Sequence, residues 1–266
     1  MSAASTPSSP AARAAVTTRG RPPKLDQART VDVALALLDE VGLDALTMRR
    51  LAEAMDVRAG ALYRYFATKH ELLTAMAESL LAGCLERPLP SADWSEDLAE
   101  LARRMRAALL GRRDGARVYA GTHSTGSHTL GFADTLIGVL REAGFAPDDA
   151  ARAALAVVHF TIGHTLEEQA ALQVAGDGPA EPDRLRAAVT PARYPHLAPA
   201  LPVFTSTDFA AHFTFGLRLL IEGLRATGPG PTPPSSSPPS PTPSSPLPAA
   251  DRRPGPPVPG GSPSLV

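Results

Sequence analysis

The chain has 266 residues, 44% of them hydrophobic but only 5% aromatic, and a single cysteine, Cys84. Two helical domains can be filled from such a composition, whereas β-branched and aromatic runs are too scarce for sheet, and one cysteine excludes a disulfide framework or a thiolate zinc site. The net charge of −1 conceals a polarity: residues 1–75 carry ten Lys/Arg against eight Asp/Glu, residues 76–227 fourteen against eighteen, so the amino-terminal end is where a polyanion would dock.

In chain order, residues 1–18 are rich in Ser, Ala, Pro and Thr and are expected to be disordered. Asp26 can cap a first helix whose apolar positions Val31, Ala34, Leu35 and Leu38 follow helical spacing, with Gly42 ending it. Thr47 caps a short second helix with Met48, Leu51, Ala52 and Met55 on one face. A third short helix is expected over residues 59–66, and Thr68 with Glu71 forms a capping box for a fourth that reaches about Glu86. After a Pro-rich break at 88–93, Leu98, Leu101, Ala102, Met105 and Leu109 make one stripe, closed by the turn at 111–115. Further helices are expected over about 129–143 and 147–175, the latter with a seam of Leu155, Val158, Ile162, Thr165 and Gln169. A polar segment and a Pro-rich connection lead to a last helix over 207–227, apolar nearly all round and therefore buried, either centrally or against another chain. Residues 228–266 hold 15 of the 28 prolines and are expected to be a disordered Pro/Ser-rich tail. No leader-like apolar run opens the chain, and the most apolar later stretch, interrupted by His159 and His164, is short of a membrane span; a cytoplasmic protein with no membrane partner is expected.

Two short helices joined by a tight turn after a longer one form a helix-turn-helix, whose second short helix enters the major groove. Leu51, Ala52, Val57, Leu62 and Phe66 would hold it together, leaving Arg49, Arg58, Tyr63, Arg64, Tyr65 and Lys69 to face outward toward phosphates and guanine edges. Ala59, Gly60 and Ala61 let the helix start approach the groove closely. Upstream, Arg19-Gly20-Arg21-Pro22-Pro23-Lys24 has the composition of a minor-groove arm centred on Arg21. The run from Leu46 to Leu72, with Leu-Tyr-x-Tyr-Phe-x-x-Lys ending at Lys69, resembles the DNA-binding domain of the tetracycline-repressor (TetR) family. That resemblance assigns Arg49 to base contact, Ala59, Gly60 and Ala61 to the opening of the recognition helix, and Thr47, Tyr63, Tyr65 and Lys69 to phosphates.

The resemblance extends to the tetracycline repressor subgroup through Arg113-Asp114-Gly115-Ala116, Gly121-Thr122, His159-Phe160-Thr161-Ile162-Gly163 with Leu166, Glu167 and Gln169, and Phe215-Gly216-Leu217. It implies a homodimer joined by a four-helix bundle of the long and final helices, a palindromic double-stranded DNA operator, and a small-molecule inducer. In the subgroup that inducer is a drug–magnesium chelate. This chain keeps Thr122, His159 and Glu167 but has Tyr119 at the position of the ligating histidine and His123 at that of an arginine. Leu85, Leu101 and Leu136 stand at polar drug-contacting positions, and Met105 replaces an aromatic. Neutral tyrosine is a poor magnesium ligand, so no metal or cofactor is expected in a pocket that remains a cavity. His159 and Glu167 share one face of their helix, as ligand contacts or as a buried polar pair.

The expected architecture is thus all-α: an arm and helix-turn-helix domain over 19–75, and a ligand-binding and dimerisation domain over 76–227. No hydrolase, P-loop or dinucleotide motif points to catalysis, and no catalytic residue is expected. The alternative is a helical small-molecule-binding or interaction protein without sequence-specific DNA binding.

Overall fold

Side-chain caps fix where the first helices begin. In the computed structural model, which describes residues 26–90, 93–173 and 181–228, the Asp26 carboxylate accepts from Arg29 N at 2.8 Å and starts α1, Gln27–Ala45. Thr47 accepts from Arg50 N at 3.2 Å and starts α2, Met48–Ala54. Each such cap satisfies an otherwise orphan amide and contributes about 1 kcal/mol. Gly42, expected to end α1, instead interrupts it with φ of 76°, and one further turn carries the chain to Ala45. Then come α3, Ala59–Leu62, and α4, Lys69–Leu80. Thr68 caps α4 through Glu71 N, while Glu71 accepts from Ala67 N, one residue before the position a strict capping box uses. The expected arm at 19–24 with Arg21, the segment 1–18 and residues 229–266 of the tail lie outside the described residues.

Both α3 and α4 are shorter than their periodicity suggests. After Leu62 the chain turns, with Tyr65 N and Phe66 N donating to Leu62 O. After Leu80 it proceeds by tight turns in which Ala82 N donates to Ser79 O and Cys84 N to Leu81 O, so Leu81 and Cys84 bury without a continuing helix. The regulatory half follows: α5, Trp94–Leu110; α6, Gly115–Ala120; α7, Ser127–Glu142; α8, Pro147–Gln173; α9, Glu181–Ala188; a 3-10 turn, Ala198–Ala200; α10, Leu201–Phe204; and α11, Phe209–Thr227. Two of these, α9 and α10, fall in the polar segment and Pro-rich connection, and α6 in a stretch where no helix is expected. No strand occurs among the described residues.

One continuous core runs through both halves. Leu38, Leu46, Leu51, Leu62 and Leu72 fill its amino-terminal part, and Leu98, Leu101, Met105, Leu109, Leu136 and Phe213 the rest. Helix α4 joins them, packing on α1 at one end and α6 at the other, while α5, α7 and α11 pack on α8. The buried face of α8 is made of small residues, Ala150, Ala153, Ala154, Val157, Thr161 and Thr165, which lets its neighbours approach closely. The expected seam runs obliquely to that face: Thr165 and Gln169 are inside, but Leu155 is 55% exposed. Likewise α11 turns Phe213, Leu217 and Ile221 inward and leaves Phe215 and Leu219 more than half exposed. These outward apolar side chains on α8 and α11 are the surface that a four-helix dimer needs.

Buried charge in this half is paired. Arg106 meets Glu168 through two hydrogen bonds of 2.9 and 2.7 Å, and its guanidinium lies 5.2 Å from the Phe213 ring centroid. Removing one partner of such a pair costs roughly 3–5 kcal/mol, because the other charge is stranded.

Candidate nucleic-acid interface and ligand site

The turn between α2 and α3 is built by Asp56, which takes up the left-handed conformation at φ of 53°, and by Val57 N donating to Ala52 O. Leu51, Ala52, Leu62 and Phe66 are buried and clamp the two helices together, with Val57 partly buried beside them. Of the residues expected to meet DNA, Thr47, Arg49, Gly60, Tyr63 and Arg64 are exposed. Arg49 has an 86% exposed side chain, and its Nε lies 3.3 Å from Glu53, an exposed pair one helical turn apart. Tyr63 is half exposed, Arg64 and Gly60 are exposed, and Ala59, Ala61 and Tyr65 are partly buried. Thr47 has its hydroxyl committed to the cap of α2. Lys69 donates from Nζ to Leu43 O at 3.3 Å, tying α4 to the end of α1.

The residues expected to line the ligand site fall into three groups. Leu101, Met105 and Leu136 are at most 1% exposed and fill the core rather than line an open cavity. Tyr119 is partly buried against the same continuous core, its phenol pushed up from its ordinary pKa chiefly by that burial. Thr122 is buried and donates its hydroxyl to Tyr119 O at 3.0 Å, closing the end of α6. In the second group, Leu85 and His123 are exposed. The third, His159 and Glu167, lies exposed on α8 and is therefore no buried polar pair within the chain; the buried carboxylate of that helix is its neighbour Glu168. Two open clefts are present elsewhere, one of about 700 Å³ between Arg186 and Thr205–Thr207 and one of about 320 Å³ between Tyr65, Thr74 and residues 124–126. Neither is lined by Leu101, Met105 or Leu136; Ser124, Thr125 and Gly126, in the connection after α6, contribute to the second.

Composition and spacing do not signal the junction between the halves. Asp39 accepts from Arg112 Nη1 at 2.6 Å and from Arg113 N at 2.9 Å, and Arg117 bridges Asp44 and Asp114. Asp114, buried and left-handed at φ of 57°, accepts from Leu43 N at 2.8 Å and from Gln173 at 3.0 Å. Its burial alone would raise the carboxyl pKa; the bonds from Leu43, Gln173 and Arg117 outweigh that and hold it below its ordinary value. Gln169 accepts from Ala116 N and donates to Leu109 O and Arg112 O, fastening the same turn to α8. A second tie is Glu78 of α4, which accepts from Ser124, from His128 N and from the amide and hydroxyl of Thr129. It caps α7 from another helix, and Gly126 leaves room for that carboxylate: a Cβ there would lie 2.3 Å from the Glu78 carboxyl carbon and displace it.

Residues 31–76 match the model of bacterial regulatory proteins of the tetR family, and residues 87–227 match the tetracyclin repressor-like C-terminal domain. The chain belongs to the TetR family. It is 40% identical over 205 residues to the tetracycline repressor protein class A from transposon 1721 of Escherichia coli, covering 76% of this chain and 91% of that one. A crystal structure of a possible TetR family transcriptional regulator from Streptomyces coelicolor A3(2) is 65% identical, covers 76% of this chain and all of its own, and superposes with a TM-score of 0.71. BioQ bound to its natural double-stranded DNA operator is 32% identical, covering 76% and 99%, with a TM-score of 0.56. This TetR-family chain is accordingly a homodimeric, DNA-binding transcription regulator of the ligand-responsive kind. Among the described residues no helix is long and apolar enough to cross a membrane.

Proposed function

We propose that the chain is a cytoplasmic, non-catalytic repressor whose inducer is more apolar than tetracycline and binds without an obligatory metal ion. The observation that carries this reading is Tyr119, a partly buried phenol whose pKa is raised, packed against the same core as Leu101, Met105 and Leu136. A neutral phenol does not replace an imidazole as a magnesium ligand, and leucines leave the hydroxyls of a polar drug unpaired, at a cost of several kcal/mol. These residues do not fit a drug–magnesium chelate.

An apolar ligand instead enters by displacing the flexible side chains of Met105 and the leucines, with the Thr122 hydroxyl and Tyr119 as its polar anchors. His159 and Glu167 are exposed on α8, so any part they take requires the second subunit. Helix α6 carries Tyr119 and leads into Thr122; its first turn, through Asp114 and Arg117, is tied to Leu43 and Asp44 at the end of α1. A ligand that reshapes α6 thereby acts on the helix-turn-helix, and releases DNA to the extent that it prefers the non-binding arrangement. At the DNA, Arg49 reads a base, Thr47, Tyr63, Arg64, Tyr65 and Lys69 hold phosphates, and Arg21 reaches the minor groove.

The test is release of a fluorescent operator duplex during titration with tetracycline, with and without magnesium. The complex is expected to survive micromolar drug in both cases. Release that requires magnesium would mean that the chelate site is intact and overturn the proposal.

A further inference from the structure

The opening of the recognition helix offers no hydrogen bond to a base. Ala59, Gly60 and Ala61 are its first three residues, and Leu62, the fourth, is fully buried. Gly60 is not required by the fold, since its φ is not positive and a Cβ there would meet nothing within 4 Å. Its lack of a side chain therefore answers to something outside the chain. Polar readout must come from the flank of the helix whose end faces the groove, which is its amino end. That flank is Arg58. It is exposed, sits at the N-cap in an extended conformation (φ −75°, ψ 140°), and makes no capping bond. Among the described residues no ion pair or side-chain hydrogen bond holds its guanidinium, whereas Arg49 is already engaged by Glu53.

We infer that Arg58 reads a guanine, so that each operator half-site is specified by two arginines, Arg49 of α2 and Arg58 at the lip of α3, on two different guanines. Guanine presents O6 and N7 side by side in the major groove, and the planar guanidinium matches that pair with two parallel N–H donors. Ala59 and Ala61, flanking the bare Gly60, pack against thymine methyls, the apolar feature of the groove. This inference rests on the DNA-binding reading above and deepens it.

The test is selection from a pool of randomised duplexes with the full-length protein and with Arg58→Ala, Arg58→Lys and Arg49→Ala. The wild type is expected to select a palindrome with two fixed guanines per half-site. Each alanine variant loses one of them, at a different position, and binds the selected duplex roughly tenfold or more weakly. Arg58→Lys keeps the charge but not the fork, so it loses the same guanine as Arg58→Ala while the slope of log Kd against log salt is unchanged. A phosphate contact behaves otherwise: Arg58→Ala weakens every duplex equally and Arg58→Lys restores binding. That result, or an unchanged selected sequence, overturns the inference and leaves the DNA-binding reading standing. Selection of no palindrome by the wild type overturns both.

Discussion

The helix-turn-helix and the regulatory half expose their function in opposite ways. At the DNA-facing surface the residues with chemistry are those that packing leaves over: Arg49, Arg58, Tyr63 and Arg64 project from helices held by Leu51, Leu62 and Phe66. In the regulatory half the residues aligned with the ligand site, Leu101, Met105 and Leu136, are themselves the core. On the proposed reading, a DNA-reading side chain can thus change with little effect on the fold, whereas a ligand-site side chain cannot, and altered inducer specificity would be bound up with stability.

The largest effect that tests this contrast is a core truncation. Leu101→Ala is expected to cost roughly 2–5 kcal/mol of stability, read from the urea midpoint, because it opens a cavity between α5 and its neighbours. A loss under about 1 kcal/mol would show that the space around Leu101 is already loose, and that the regulatory site is a preformed cavity after all. Arg49→Ala is expected to leave the urea midpoint where it is, since its exposed pair with Glu53 contributes only a few tenths of a kcal/mol, and to cost about 1–3 kcal/mol in operator binding with relaxed base preference. Competition binding with mismatched duplexes measures it.

Lys69→Ala falls between the two classes. It should weaken binding evenly across sequences and flatten the salt dependence by one contact, and also lower stability by about 1 kcal/mol, because Nζ holds Leu43 O in the free protein. Unfolding curves and a salt titration on the same variant separate the two contributions.

The smallest effect concerns His164, enclosed by Phe160, Phe209 and Phe213, with Glu168, Arg106 and His212 as the titratable groups around it. Burial lowers its pKa, opposed by its bond to Phe209 O and by the charge of Glu168. The unfolded chain therefore holds the proton more tightly than the folded one, so stability is full above the ordinary histidine range and declines as pH falls through it. Urea midpoints at about pH 7.5 and about pH 5.5 should show that decline in the wild type and a shallower one in His164→Gln; equal slopes would assign the decline to other groups.

The caps at Asp26, Thr47 and Thr68 and the buried stripe of α5 were legible because they depend on residues within one or two turns, where 3.6-residue periodicity and amide capping dominate. The same local logic marked Arg49, Arg64 and Tyr63 as outward-facing. Local patterning does not show which of two apolar faces of α8 and α11 turns inward, since both are greasy enough. Packing of α5 and α7 on α8, and of α8 and α5 on α11, decided it, burying Thr161, Thr165 and Phe213 and leaving Leu155, Phe215 and Leu219 outside. Nor does a sequence pattern announce that Glu78 caps a helix 50 residues away, that Asp114 binds Leu43 N across 71 positions, or that Glu168 rather than Glu167 is the buried carboxylate. Such bonds join residues far apart in the chain, where only tertiary packing brings donor and acceptor together and burial makes leaving either unpaired costly.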